Sequence, residues 1–257
     1  MRFFTWFLKS LYHRQSILAS RFRQTIHILG HVCFTIFIAL IPYCLVLSVS
    51  IWSGITLIEQ TLVEEDIDFS ITQGVLQTSV ESTPTVLELN QSHQIIIDPT
   101  NELTVDRLDY QGILLQEQSV VFHTANVNQA LSYTLLGEGV FTKTDILEKL
   151  SDIKSFLPIL LVIISIIVLS VMIGLAFLGI SLLAFVGHFL QRRNPSITYV
   201  HLWKIAAHTI TLPVILFAWI IVIGDFIPLL LWIGLVVALY CYFIIRLPQK
   251  KKSRKTT

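Results

Sequence analysis

Acidic side chains are missing from most of this chain. Of its 17 Asp and Glu residues, 16 lie between Glu59 and Asp152, and the seventeenth is Asp225. Basic residues show the reverse. Of 18 Lys and Arg, only Arg107, Lys143, Lys149 and Lys154 fall within residues 59–154. That segment sets four positive charges against sixteen negative, a net −12, and the remainder sets fourteen against one, a net +13. A formal total of +1 conceals both. Asymmetry on this scale points to a membrane dividing the chain. Charge is also scarce overall, at 14%, where a soluble domain carries about 25%.

Other absences narrow the function. Only Cys33, Cys44 and Cys241 are present, all in apolar stretches, so the acidic segment has no disulfide framework and must stand on its own core. The residues before Cys44 are Ile41-Pro42-Tyr43, which lack the small residue of a lipoprotein signal. No G-x-S-x-G, no P-loop and no H-E-x-x-H occurs, and no carboxylate pair lies in an apolar run. No catalytic, cofactor-binding or metal residue is assigned, and the expectation is a protein that is not an enzyme.

What is present is apolar length. About 20 apolar residues in a helix cross a hydrocarbon core of about 30 Å. Four stretches qualify, giving spans at residues 27–58, 156–190, 204–224 and 225–246. The first is too long for a cleaved signal peptide and has no A-x-A site. The second, at 35 residues, could be one long helix or two minimal ones turning near Gly174. The positive-inside rule selects one, because two would place Arg192, Arg193 and the tail outside. With four spans the N-terminal cations, the loop 191–203 and the polybasic tail 247–257 all lie in the cytoplasm, and residues 59–155 outside. Pro42 should kink the first span or force local repair. Pro158 and Pro228 fall near expected helix starts, and Asp225 is placed to cap the last helix.

The cytoplasmic segment 1–26 carries Phe3, Phe4, Phe7, Leu8 and Leu11 at helical spacing among Lys9, His13 and Arg14. It reads as an amphipathic helix on the inner leaflet, in preference to one packed on the protein. Past Asp66 the period falls to two. Strand-like runs are Ile67–Ile71, Gly74–Leu76, Thr85–Leu89, Gln94–Ile97, Gly112–Leu115 and Ser119–Phe122, with a turn at Asp98-Pro99 and Asn101. After Asn126 the pattern turns helical, and Thr144 can cap a helix leading into the second span. The expected fold is membrane α + β: about four transmembrane helices and a small antiparallel sheet, closed by one or two helices, between the first and second.

Several pieces then fall into a known order: Phe7-Leu8-Lys9-Ser10-Leu11-Tyr12, a span, Asp68-Phe69-Ser70-Ile71-Thr72-Gln73-Gly74-Val75-Leu76, Gln94-Ile95-Ile96-Ile97-Asp98-Pro99-Thr100, a Gly-Ile-Leu-Leu strand and three more spans. The chain resembles an uncharacterised family of bacterial membrane proteins common in Gram-positive organisms, some labelled maltodextrin utilisation protein MalA. Pro99 stands where a small polar residue is expected. The resemblance implies a link to carbohydrate utilisation and carries over no site residues.

Among the remaining features, His27 and His31 are spaced i, i+4, and a metal would need a third ligand such as His201 or His208. The more economical reading is hydrogen bonding, with His208 bonded to a neighbouring helix. Ser170, Gly174, Ala176, Gly179, Ala184 and Gly187 permit close packing, most simply within the chain. Residues 250–255 read as a topology determinant and lipid contact rather than a nucleic-acid site. The partners expected are the lipid bilayer and another membrane protein, with no nucleic acid and with the ligand of the acidic domain open. The function expected is a sensor, regulator or accessory subunit of the bacterial cytoplasmic membrane. The rival reading is a transporter component, which the lack of acids in the spans disfavours.

Overall fold

The computed structural model describes residues 3–64, 67–78, 84–90, 93–103, 111–123, 128–136, 139–191, 197–224 and 228–247. Arg192, Arg193, Asp225 and the tail 250–255 lie outside them. Two short helices, α1 (Phe3–Tyr12) and α2 (Arg14–Ala19), and a 3-10 turn at Ser20–Phe22 precede α3 (Thr25–Glu64). Strands β1 (Phe69–Thr72), β2 (Val75–Thr78), β3 (Thr85–Asn90), β4 (His93–Asp98), β5 (Gln111–Gln116), β6 (Ser119–His123), β7 (Asn128–Ser132) and β8 (Val140–Thr142) follow. The chain closes with α4 (Lys143–Leu190), α5 (Tyr199–Thr209), α6 (Thr211–Ile223) and α7 (Leu229–Ile245). Contacts divide it into a helical unit, Met1–Ser48 with Leu161–Thr257, and a β unit, Val49–Leu160.

Three helical stretches are long and apolar enough to cross a membrane: Thr25–Glu64, Lys143–Leu190 and Tyr199–Ile223. The fourth apolar helix, α7, has 17 residues. α4 runs unbroken past Gly174. It also begins earlier than the apolar run, so Pro158 sits well inside it rather than near its start. The last helix starts at Leu229 with Pro228 in the N-cap position; Asp225, the expected cap, lies outside the described residues. The third stretch starts at Tyr199, within what the sequence suggested was a loop, and pauses at Ile210 between α5 and α6. Pro213 accounts for the pause: it has no N–H to offer the Thr209 carbonyl, and its ring crowds that oxygen. Gly224, at φ +103°, ends α6 in the left-handed conformation that suits glycine.

Hydroxyls inside these apolar helices bond back one turn. Thr35 donates to His31 O, Ser48 to Cys44 O, Ser170 to Ile166 O and Thr209 to Ile205 O. Such bonds pair these four donors within their own helices, as a hydrocarbon setting favours, whereas Thr56 Oγ1 in α3 and Trp232 Nε1 in α7 are buried without a partner among the described residues. The helical core is built from one face of α3 (Ile28, Val32, Ile36), the end of α4 (Ile180, Leu183, Ala184), α5 (Leu202, Ile205, Ala206) and α7 (Tyr240, Phe243, Ile244). A Cβ at Gly187 would overlap the Tyr240 hydroxyl, which donates to Leu202 O at 3.3 Å. Of the run of small residues, then, Ala184 and Gly187 pack within the chain. Gly174 and Gly179 do not: a Cβ there would meet nothing within 4 Å.

The β unit has two sheets, not one. β2-β1-β8 is wholly antiparallel, while β3-β4-β5-β6-β7 contains a parallel pair, β4 with β5. The helical reading after Asn126 also gives way, because Asn128–Ser132 and Val140–Thr142 are strands. Each borrows its stability from a partner strand, β6 and β1, that local periodicity cannot reveal. β1 and β2 join through Gln73 and Gly74, both at positive φ (52° and 78°), the geometry of a two-residue hairpin turn. Phe69, Ile71, Leu76, Leu87, Ile95, Ile97 and Tyr133 form the core with Leu62 of α3. Ile146, Leu147 and Leu150 of α4 pack against it.

The start of α4 is capped by Thr142 rather than Thr144. Thr142 Oγ1 accepts from Asp145 N at 3.3 Å, and Asp145 Oδ2 accepts from Thr142 N at 2.8 Å and from its hydroxyl at 2.6 Å. This is a reciprocal capping box. The Thr142 hydroxyl and backbone bonds hold the Asp145 carboxyl below the ordinary carboxylate value. The cap therefore stabilises the fold at neutral pH, and its contribution fades as pH falls below about 4 and the carboxylate protonates. We expect Asp145→Ala to lower amide protection over residues 143–147 at pH 7, and to do so progressively less as pH falls below about 4. A loss of protection that stays constant from pH 7 down to about pH 2 would refute the charged cap.

Candidate functional site

The helical unit buries polar groups that packing alone does not require. His31 and His208 are each 1% exposed, and Thr35, Thr209, Thr211, Ser10, Ser20 and Lys204 are buried with them. His31 comes from α3 and His208 from α5. Their imidazoles stack face to face, centroids 4.1 Å apart and planes 2° from parallel. The i, i+4 pair suggested by sequence is split, since His27 is exposed while His31 turns inward.

Hydrogen bonding fixes the state of His208. Trp6 Nε1–H donates to His208 Nε2 at 3.0 Å. An indole N–H can only donate, so Nε2 is unprotonated. His208 Nδ1 lies 3.2 Å from the Lys204 carbonyl, which can only accept, so Nδ1 carries the proton. His208 is a neutral ring with both nitrogens satisfied. His31 Nε2 lies 2.9 Å from Thr211 Oγ1, whose hydroxyl reaches back to Ala207 O at 3.5 Å. That chain makes His31 Nε2 the donor. It leaves Nδ1 a buried acceptor without a partner among the described residues.

This arrangement is unsuited to chelation. Stacked rings 4.1 Å apart hold their in-plane lone pairs parallel, whereas two imidazoles on one ion must converge on it at about 2.0 Å each. Among the described residues no group of three His, Cys, Asp or Glu could hold a metal. The pair is instead locked by aromatics. Phe7 lies 5.4 Å from His31 and 4.8 Å from Phe34, and Phe3 lies 5.5 Å from Phe34. Helix α1 thus packs its Phe7 and Trp6 face on α3 and α5, in place of the free membrane-surface helix expected. Phe4 and Leu8 remain exposed.

The sequence marked His208 as a polar group bonded to a neighbouring helix; its partner Trp6 and the role of Thr211 were not visible there. The one available signal was an indole, with its obligatory donor, in the same short helix as Phe7.

The β unit offers a different kind of surface. A cleft of about 560 Å³ lies along the polar face of the three-stranded sheet, where Gln77, Ser70 and Thr142 stand abreast in paired register. Asp68, Thr78, Lys143 and Thr144 complete its polar lining. Lower on α3 and α4, Lys154 Nζ pairs with Glu59 at 2.7 Å and lies 5.6 Å from the Trp52 ring centre.

The two motif pieces prove to be structural. In the first, Phe69, Ile71 and Leu76 enter the core and Gln73-Gly74 make the turn. In the second, Asp98 is fully buried and its carboxylate accepts from Thr100 Oγ1, Glu102 N and Leu103 N at 2.8–3.2 Å. Asp98 therefore ties a turn and has no lone pairs turned toward solvent chemistry.

No curated protein and no solved structure matches the chain. The family described as "Protein of unknown function (DUF1189)" matches residues 4–245, nearly the whole length, and the chain belongs to that family.

Proposed function

We propose that this chain is a non-enzymatic protein of the bacterial cytoplasmic membrane that acts as a sensor, regulator or accessory subunit. In this reading it has four spans, both termini are cytoplasmic, and the β unit lies outside. Its link to maltodextrin utilisation rests on the resemblance of its motifs alone. The observation that carries the reading is the continuity of two helices. α3 runs from Thr25 to Glu64 and α4 from Lys143 to Leu190, so each contributes residues to both units without a break. A helix is stiff along its axis, so a contact made by the β unit would be felt along both helices. The polar cleft along β2-β1-β8 ends on the first turn of α4, and a ligand or partner seated there would bear directly on that helix.

The rival reading is a transporter component. Coupled transport uses ionisable groups in the spans as relays. Here the neutral His208 is held on both nitrogens, and the described residues of the helical unit include no Asp or Glu. Two measurements separate the readings. A photo-crosslinking residue at Gln77 in native membranes is expected to capture one discrete membrane partner, and an externally active reporter fused after Ser132 is expected to work while one after Pro195 stays silent. Solute flux by the purified chain alone in proteoliposomes would overturn the reading in favour of transport, and reversed reporters would overturn the orientation.

A further inference from the structure

Among the described residues, the cations of the helical unit have no anions to meet. Lys9, Arg14, Arg21, Arg23, Lys204 and Arg246 are all described, and no Asp or Glu is described in the same unit. The two ion pairs found among the described residues, Lys149–Asp152 and Lys154–Glu59, both belong to the β unit. Exposed lysines and arginines can be left to water, but of these only Arg246 is exposed; Lys9, Arg14, Arg21 and Arg23 are half-buried and Lys204 is buried.

Lys204 is 8% exposed, on the second turn of α5. Its ammonium donates to the Arg23 carbonyl, a neutral acceptor that uses one of its three protons. Ser20 Oγ donates to the Lys204 carbonyl at 3.1 Å, so the turn Ser20–Arg23 is pinned against this lysine by both of its ends. Arg23 lays its guanidinium over the Trp6 ring at 3.9 Å, and Arg21 lays its own over Phe22 at 4.5 Å. Arg21 Nε and Arg14 Nε are buried without partners among the described residues. Cationic donors withdrawn from water without a counter-ion are unfavourable unless an anion compensates. His201 joins them: its ring lies 6.5 Å from that of Phe22, and its Nδ1 accepts from Thr198 N, which leaves Nε2–H as a further donor.

The rim of this turn is apolar. Phe22, Ile26 and Tyr12 are 65–75% exposed, and Tyr199 and Val200 beside His201 are exposed as well. Aromatic and aliphatic side chains exposed around unpaired cations fit the level of a bilayer where headgroups meet acyl chains.

We propose that the turn Ser20–Arg23, with Lys204 and His201 of α5, is a seat for the phosphate of an anionic phospholipid headgroup, held by the Arg21 and Arg23 guanidinium groups. The ammonium of Lys204 supplies fixed positive charge behind it. The acyl chains lie along Phe22, Ile26 and Val200. The seat belongs to one lipid and is distinct from the polybasic tail, which attracts anionic lipid diffusely.

The test uses the full chain in nanodiscs of phosphatidylcholine mixed with phosphatidylglycerol, with retained lipid counted by native mass spectrometry after transfer to neutral detergent. The wild type is expected to retain phosphatidylglycerol over phosphatidylcholine. Arg21→Gln with Arg23→Gln is expected to lower that retention about five- to tenfold, at roughly a few-fold per cation. Arg21→Gln alone removes a charge whose Nε holds no bond in the fold, and it is expected to weaken retention severalfold without lowering the melting temperature in neutral detergent. Neutralising Lys250, Lys251 and Lys252 is expected to leave the retained lipid in place. Equal retention of the two lipids, retention unchanged in both arginine variants, or loss of retention in the tail variant would each overturn the proposal. Thermal protection by inorganic phosphate equal to that by phosphatidylglycerol would also overturn it, by showing a soluble anion site.

Discussion

Gly112→Ala is expected to prevent the β unit from folding, and to do so more severely than alanine at any other glycine among the described residues. Gly112 lies on β5 directly opposite Gln94 of β4, in the one parallel pairing of the five-stranded sheet. A Cβ there would overlap the Gln94 carbonyl oxygen, and would also press on Gln94 C and N at 2.9 and 3.0 Å. The obstacle is backbone, so no side chain can rotate away. Relief requires β4 and β5 to separate, and with them Ile95 and Ile97 on one face and Ile96 and Leu114 on the other. The cost should exceed about 4 kcal/mol, a large part of the stability of a domain this size. Yield of folded protein and the melting transition of the purified chain would measure it. Gly174→Ala is the matched control, since its Cβ would meet nothing within 4 Å. A Gly112→Ala chain that melts within a few degrees of wild type would show that the sheet is paired differently.

The second large effect is expected at His208. His208→Leu keeps an apolar volume but removes three things together: the acceptor for Trp6 Nε1, the donor to Lys204 O and the ring stacked on His31. One buried donor is then orphaned at about 1–3 kcal/mol, and the aromatic stack adds about 1 kcal/mol. Hydrogen bonds between helices in lipid average less than in water-soluble cores, so a total near 2–3 kcal/mol is expected. The specific signature is at α1. With Trp6 released, the α1 helix loses its polar anchor, and proteolysis within residues 3–12 should accelerate before global unfolding begins. His208→Gln, which can accept from Trp6, should recover part of the protection. If His208→Leu leaves α1 as protected as wild type, the aromatic contacts of Phe7 and Phe3 with Phe34 suffice and the histidine is not the anchor.

Local signals carried much of this architecture. The strand-like runs from Ile67 to Phe122 correspond to β1 through β6, by alternation in β1 and as a continuous apolar run in β4, which is buried on both faces from Ile95 to Ile97. The apolar runs of α3, α4 and α6 show in composition alone. Long-range choices did not show. Nothing in Gln94–Ile97 or Gly112–Leu115 tells that their strands run parallel, and Asn128–Ser132, exposed at every position, is a strand only because β6 lies beside it. The polar turn opening α4 at Lys143 was legible to within a residue or two, with the cap moved from Thr144 to Thr142 and Asp145. That of α5 was not: Tyr199 opens a helix inside the expected loop, drawn by the cap of Thr198 with His201. The histidine pair was half legible. His31 and His208 were both conspicuous as polar groups in apolar helices, but they are 177 residues apart, and no spacing rule relates them.

The pairing of β1 with β8 has a consequence for how the protein is made. Phe69–Thr72 leaves the ribosome early and forms its hairpin with β2 at once, a local event of about microseconds. Its other edge must wait for Val140–Thr142, which arrives only after every other strand has been synthesised. The residue after β8 is Lys143, the first of α4. The three-stranded sheet is therefore completed at the moment the chain commits to its longest helix. Until then β1 presents an open edge, and the nascent segment is most exposed to mispairing and proteolysis. Truncations ending before Val140 should be degraded even though they contain seven of the eight strands, whereas those ending after Ile146 should persist.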